Sequence, residues 1–246
     1  MRFLPFPRAL ARSARSGSAL RSAIAFLALA VAPAGAADGE RPTVIELFQS
    51  QGCSSCPPAN AALIEFARRN DVLALNFAVD YWDGLGWKDT FARPEFTARQ
   101  WAYARAMGQG QVYTPQIVVN GRVAGVGADL SEMRELAERA DRGASGPELR
   151  IEPGAVTIGA GAAPPRGADV WLARYDPKVI EVAVRRGENA GRTLAHKNVV
   201  RELILVGHWR GEAERLALPP ASNSGLADAV LVQASSAGPI LAAAKE

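Results

Sequence analysis

Apolar and polar positions follow two different textures along this chain. Between residues 43 and 140, strand and helix patterns alternate. "TVIELFQ" (43–49) is apolar and partly β-branched, which predicts a buried strand. "PANAALIEFARRN" follows, with Ala59, Ala62, Leu63, Phe66 and Ala67 on one face at helical spacing. "DVLALNFAV" (71–79) is a near-continuous apolar run, the pattern of a central parallel strand covered on both faces. "RPEFTARQWAYARAMG" (93–108) predicts a helix, with Pro94 in its first turn and Gly108 past its end. "QIVVN" and "RVAGV" flank Asn120-Gly121, a strong short hairpin signal. Asp129 opens a last helix, with Glu132 three residues on as a capping box. Leu130, Met133, Leu136, Ala137 and Ala140 form its apolar stripe. The order β-α-β-α-β-β-α predicts an α/β domain over residues 40–143.

The second texture runs from 147 to 246. Short strand-like runs recur there, among them "DVWLARY", "VIEVAVR", "VVRELILVG" and "AVLVQA". Asp176-Pro177, the stretch Glu188 to Gly191, and Pro219-Pro220 separate them as turn-formers. About seven such strands predict a small all-β, sandwich-like domain. "DRGASGPEL" (141–149) reads as the linker between the two regions.

Composition changes this picture little: 48% apolar and 22% charged residues specify a packed core rather than disorder. Charge changes it more. The whole chain carries a formal +3, but residues 1–36 hold five arginines and no acid, which leaves −2 for the remainder. The basicity therefore gives no argument for nucleic-acid or membrane-surface binding by the folded part. The arginine-rich stretch ends in "AIAFLALAVA" (23–32), too short to cross a bilayer, followed by small residues at Ala34 and Ala36. This is the pattern of a cleavable signal peptide over residues 1–36, and it predicts a periplasmic or secreted protein. In such a compartment disulfides persist.

Both cysteines of the chain lie in "QGCSSCPP" (51–58). Three chemistries compete for Cys53 and Cys56. A structural bridge between residues three apart closes a very small loop and constrains the unfolded chain little. Structural zinc needs four ligands, and there is one pair of thiols, with His196 and His208 far along the chain. Two thiolates alone can hold copper(I), so a soft-metal carrier stays open as an alternative. Dithiol/disulfide exchange accounts for the placement at the junction of a strand with a helix start, where backbone N–H groups stabilise a thiolate. Ser54 and Ser55 add hydroxyl donors near the sulfur. A non-catalytic binding module is the remaining alternative.

"TVIELFQSQGCSSCPPANAAL", followed later by "YTPQIVVNG", resembles the thioredoxin superfamily. The longer string that includes "VDYWDGLGWKDTFARPEFTARQWAYA" is similar to a domain-of-unknown-function family of bacterial secreted thioredoxin-like proteins with a C-terminal β domain. The resemblance implies a thioredoxin-like domain followed by the small β domain. It also implies a thiol–disulfide oxidoreductase without a cofactor, acting on protein or small-molecule thiols and disulfides. Cys53 would be the nucleophile and Cys56 the resolving cysteine. Pro115 would be cis, and the Thr114 backbone would pair with an extended partner peptide. Glu46 stands seven residues before Cys53, where superfamily members have an acid at six. With one extra residue at a bulge it would serve as proton acceptor for Cys56; without one it would simply reach solvent. The dipeptide between the cysteines lacks the histidine of strongly oxidising members, so the couple is expected at about −180 to −270 mV. Asp80, Tyr81, Trp82, Asp83, Trp87 and Lys88 form a second cluster, fit either to shape a partner groove or to be buried as a cap. No membrane contact is expected after leader removal, and the sequence leaves the oligomeric state open.

Overall fold

In chain order the elements of the computed structural model are β1 (Thr43–Gln49), α1 (Cys56–Phe66), β2 (Val72–Ala78), α2 (Pro94–Ala106), β3 (Gln116–Val119), β4 (Val123–Gly125) and α3 (Leu130–Arg139). Strands β5 (Leu149–Glu152), β6 (Ala155–Ile158), β7 (Ala168–Ala183), β8 (Thr193–Trp209), β9 (Glu214–Ala217), β10 (Ala227–Ala234) and β11 (Ile240–Lys245) follow. The structure describes residues 41–246, and the predicted signal peptide lies outside the described residues.

The first seven elements stand where the hydrophobic pattern puts them. β1 pairs parallel with β2 over its whole length, and antiparallel with β3. β3 turns into β4 through Asn120 and Gly121, both at positive φ, as a two-residue hairpin turn requires. Asp129 caps α3 through the backbone N–H groups of Ser131 and Glu132. Glu132 in turn accepts from the N–H groups of Val126, Gly127 and Ala128, upstream of the cap.

The four longest strands after the linker, β7, β8, β10 and β11, do not form a sheet of their own. Eight strands run in one mixed sheet, in the order β11-β10-β7-β8-β2-β1-β3-β4. The joint is a short parallel contact, Asn76 of β2 opposite Val199 of β8. Asn198, at positive φ, extends the joint by donating its side-chain amide to the Ala74 carbonyl at 2.8 Å. One core also spans both parts: Val44, Phe48, Phe77, Phe96 and Tyr103 pack with Ala173, Tyr175, Val200, Leu231 and Ile240. Strands β5, β6 and β9 make a separate three-stranded antiparallel sheet. Its Val156 and Ile158 pack on Val170, Leu172, Trp209 and Val230 of the large sheet.

The predicted architecture, a thioredoxin-like α/β domain followed by a small all-β sandwich-like domain, is therefore corrected. The described chain is mostly β, built on a large mixed eight-stranded sheet with three short helices. The physical reason lies in β7 and β8, which run for 16 and 17 residues. Asp176-Pro177, read as a turn, is instead an irregularity inside β7, where the register with β8 shifts between Asp176 and Val179. The strands are thus long enough to span the β half and still reach β2. The sheet is also curved: the Asn120 carbonyl of the β3–β4 turn accepts from the Ile240 N–H at the start of β11.

Candidate functional site

The loop from Ser50 to Ser55 joins the end of β1 to α1. Both neighbours of β1 are paired, so its end is fixed in the middle of the sheet. Cys53 precedes the helix, and Cys56 is its first residue. The helix starts there because Pro57 and Pro58 suit its first turn, where a missing N–H costs least. The two cysteines are joined as a disulfide, and both are buried, at 0% and 1% exposure. Ser54 and Ser55 between them face solvent.

Ser55 links the two parts of the site. Its hydroxyl lies 3.3 Å from Cys53 Sγ and 3.4 Å from the Thr114 carbonyl oxygen, to which it donates. The Thr114–Pro115 peptide bond is cis, as expected, and Pro115 is buried. Cys53, Cys56, Thr114 and Pro115 are thus brought together. On reduction, the same Ser55 hydroxyl is within reach of a Cys53 thiolate as a donor.

Glu46 is not brought to the cysteines. β1 carries no bulge, so its side chains keep strict alternation. Ile45 and Leu47 face α1, packing with Ala59, Ala62 and Leu63. Glu46 therefore points to the opposite face. There it is fully buried and paired with Arg99 of α2, at 2.6 Å from Nε and 3.1 Å from Nη2. Tyr103 donates its hydroxyl to the same carboxylate. Gln233 of β10 closes the network, bonding Tyr103 Oη and Arg99. Burial alone would lower the Arg99 pKa; Glu46 and Tyr103 beside it raise it by more, so the guanidinium stays charged.

A different acid borders the loop of the two cysteines, one residue beyond the cluster singled out in the sequence. Asp89 is buried, at 2% exposure, and accepts from the Gln51 N–H at 2.6 Å and the Phe91 N–H at 2.8 Å. Burial pushes its carboxyl up to about 6, against those N–H groups, which favour the charged form. The signal for it was its place directly after Trp87 and Lys88. Both tryptophans of that cluster are half-buried and serve the site: Trp82 Nε1 donates to Thr114 Oγ1 at 2.8 Å, and Trp87 Nε1 to Gln51 Oε1 at 2.9 Å.

Sequence reasoning missed a second contributor, the turn between β7 and β8. Asn189 there donates its side-chain amide to the Gln51 carbonyl at 2.9 Å and to the Cys53 carbonyl at 2.8 Å. Glu188 accepts from the Ser54 N–H at 3.1 Å and the Ser54 hydroxyl at 2.7 Å. Those bonds hold the Glu188 carboxyl below the usual range. No spacing rule links positions 136 residues apart, so only the fold could reveal them. Of the two histidines, His196 is fully buried with neither ring nitrogen bonded, edge-on to Phe91. Burial pushes its pKa down to about 4. His208 pairs with Asp169 at 3.0 Å, in the β half. Among the described residues, no three His, Cys, Asp or Glu side chains cluster as metal ligands. No helix among them is long and apolar enough to cross a membrane.

Comparison with known proteins places this geometry in a lineage. The model of a family described as "Protein of unknown function (DUF1223)" matches residues 44–233. A crystal structure of an Agrobacterium tumefaciens protein is similar at 35% identity and a TM-score of 0.68, over 82% of this chain and 92% of that one. HBP35 of Porphyromonas gingivalis is similar in fold, with a TM-score of 0.59 at 13% identity, over 84% of this chain and 75% of that one. No curated protein matches.

Proposed function

The chain belongs to the DUF1223 family, and we propose that it is an exported thiol–disulfide oxidoreductase with Cys53 and Cys56 as its couple. The observation that carries this reading is the Cys53–Cys56 pair, closed as a disulfide between the end of β1 and the start of α1. Its neighbours Thr114 and Pro115 complete the set that gave the likeness to the thioredoxin superfamily, and we read that likeness as one of chemistry. Export rests on the signal-peptide pattern of residues 1–36.

From the disulfide form, a partner thiolate attacks Cys53 Sγ and the Cys53–Cys56 bond breaks. The electron pair leaves with Cys56 as a thiolate, which then takes up a proton. A second partner thiol, once deprotonated, attacks the partner sulfur of the mixed disulfide and releases Cys53. The partner dithiol is oxidised and the Cys53–Cys56 pair reduced. The reverse sequence reduces a partner disulfide, with an external dithiol restoring the reduced pair. In either direction, the sulfurs stand at the N-terminal end of α1, where the helix dipole favours a thiolate. The Ser55 hydroxyl at 3.3 Å, once turned from the Thr114 carbonyl, offers a Cys53 thiolate a donor.

The copper(I) carrier would rest on the same two thiols. It is separated by recovery of stoichiometric copper with the reduced protein, lost in Cys53→Ser. The test of the main reading is exchange with a protein disulfide, together with the pH dependence of Cys53 alkylation. Turnover is expected, abolished by Cys53→Ser, with Cys56→Ser accumulating mixed disulfides. Cys53 should ionise below the ordinary thiol value of about 8.5. A Cys53 that alkylates like an unperturbed thiol, without exchange, would overturn the reading.

A further inference from the structure

The turn that joins β7 to β8, residues 184–192, is exposed at almost every position. Arg185, Arg186, Gly187, Glu188, Ala190, Gly191 and Arg192 all face solvent. Asn189 in their midst is 0% exposed. Most polar side chains buried so completely make their hydrogen bonds, and each polar atom of this amide is used. Nδ2 donates to the carbonyls of Gln51 and Cys53, while Oδ1 accepts from Arg192 Nη1 at 2.8 Å. The carbonyls it holds flank the nucleophile position of the redox loop.

Two further contacts seat the same turn. Glu188 holds both the backbone N–H and the hydroxyl of Ser54, the residue after Cys53. Gly187 lies against Gly86 and Trp87, so closely that a Cβ on it would come within 3.2 Å of the Trp87 Cβ. The turn is thus wedged between the redox loop and the loop that carries Trp82 and Trp87. Both cysteines of the disulfide beside it are shut off from solvent. A partner thiolate cannot reach Cys53 Sγ in this arrangement.

We propose that the β7–β8 turn is a cover latched over the Cys53–Cys56 disulfide by Asn189 and Glu188, and that thiols gain access only when the latch opens. The anchors suit such a device. They are a few hydrogen bonds from one exposed turn to one loop, so opening leaves the strands and the core intact. Reduction then proceeds through a minor open state, and its rate scales with the population of that state. Weakening the latch raises the rate, by about two- to fivefold for each net buried hydrogen bond lost and less for an exposed one.

This inference goes beyond the exchange reading, because reduction by a small dithiol needs only a disulfide. The experiment is the rate of reduction of the oxidised mature protein by dithiothreitol, read by quenched alkylation and mass. Unfolding by urea is followed in parallel. Asn189→Ala should reduce about tenfold faster than the parent, more than any change in global stability explains. Glu188→Ala, on an exposed side chain, should reduce about two- to threefold faster with unchanged stability. Reduction of both variants at the parent rate overturns the proposal, as does acceleration that follows global unfolding alone. Should Asn189→Ala fail to fold, the unchanged or raised rate of Glu188→Ala decides. A protein that fails to turn over partner disulfides while these rates still rise refutes the exchange reading and keeps the latch.

Discussion

Glu46 and Arg99 meet in a two-point ion pair inside the protein, with Glu46 wholly buried and Arg99 nearly so. The pair crosses from β1 to α2, and Tyr103 and Gln233 extend it to β10. Breaking it by Arg99→Ala strands a buried carboxylate, a change that costs about 3–5 kcal/mol. Urea unfolding should register a loss of that size. The pair has no hydrogen bond to either cysteine, and strand alternation puts it on the sheet face away from α1. Glu46→Gln should accordingly leave the pH profile of Cys53 alkylation where it is. A shifted profile would return Glu46 to the role of proton acceptor.

Asp89 and His196 give the fold opposite responses to acid. The Asp89 carboxyl is raised from 3.8 to about 6. Its stabilising contribution is full below its unfolded value and is lost as the pH rises through about 6. His196 is lowered from 6.5 to about 4. Its contribution is full above its unfolded value and is lost as the pH falls through about 4. Between about pH 4 and 6 the two slopes oppose each other. Urea midpoints of the parent should therefore vary little over that window. Asp89→Asn should make stability fall as the pH drops, and His196→Leu should make it rise. Parallel curves for all three proteins would refute the assignment.

The Asn120-Gly121 turn does more than close a hairpin. Asn120 Oδ1 accepts from the Val44 N–H, and its amide donates to the Ala140 carbonyl, tying β1 and the end of α3 to the turn. Gly121 sits at φ +62, and a Cβ there would meet the Gly238 carbonyl at 2.6 Å, against backbone. Gly121→Ala should cost more than about 1 kcal/mol, from strain at positive φ combined with that clash. The loss should appear as a lower melting temperature, with the Cys53–Cys56 disulfide still formed at low temperature. A variant as stable as the parent would mean that the β10–β11 turn gives way freely.

Local pattern carried the first half of this structure well. Helical spacing located α1 and α3, Pro94 and Gly108 marked the ends of α2, and an unbroken apolar run marked β2 as central. Each rests on a signal a few residues long, which a sequence displays directly. The joining of the halves depends on Asn76 meeting Val199, more than 120 positions away, and no period encodes that. The proline at 177 misled because its local meaning, a turn, was overruled by strand pairing on either side. The site divides the same way. Cys53, Cys56, Thr114 and Pro115 stand in recognisable strings. Asn189 is an ordinary residue in a turn until the fold sets it on the Cys53 carbonyl. Glu46 could be read either way, since a single bulge would have changed its face, and the continuous β1–β2 register decides it.

The shared sheet also governs what can be borrowed from this protein. A redox loop on a self-contained domain can be cut out and grafted onto another scaffold. Here, removing everything after Gly143 would bare the outer edge of β2 and the apolar faces of Phe48, Phe77 and Tyr103, which pack on Ala173, Val200 and Leu231. The excised piece would seek its missing half. Two fragments made separately and mixed should recombine into one particle, so the chain lends itself to complementation rather than to transplantation.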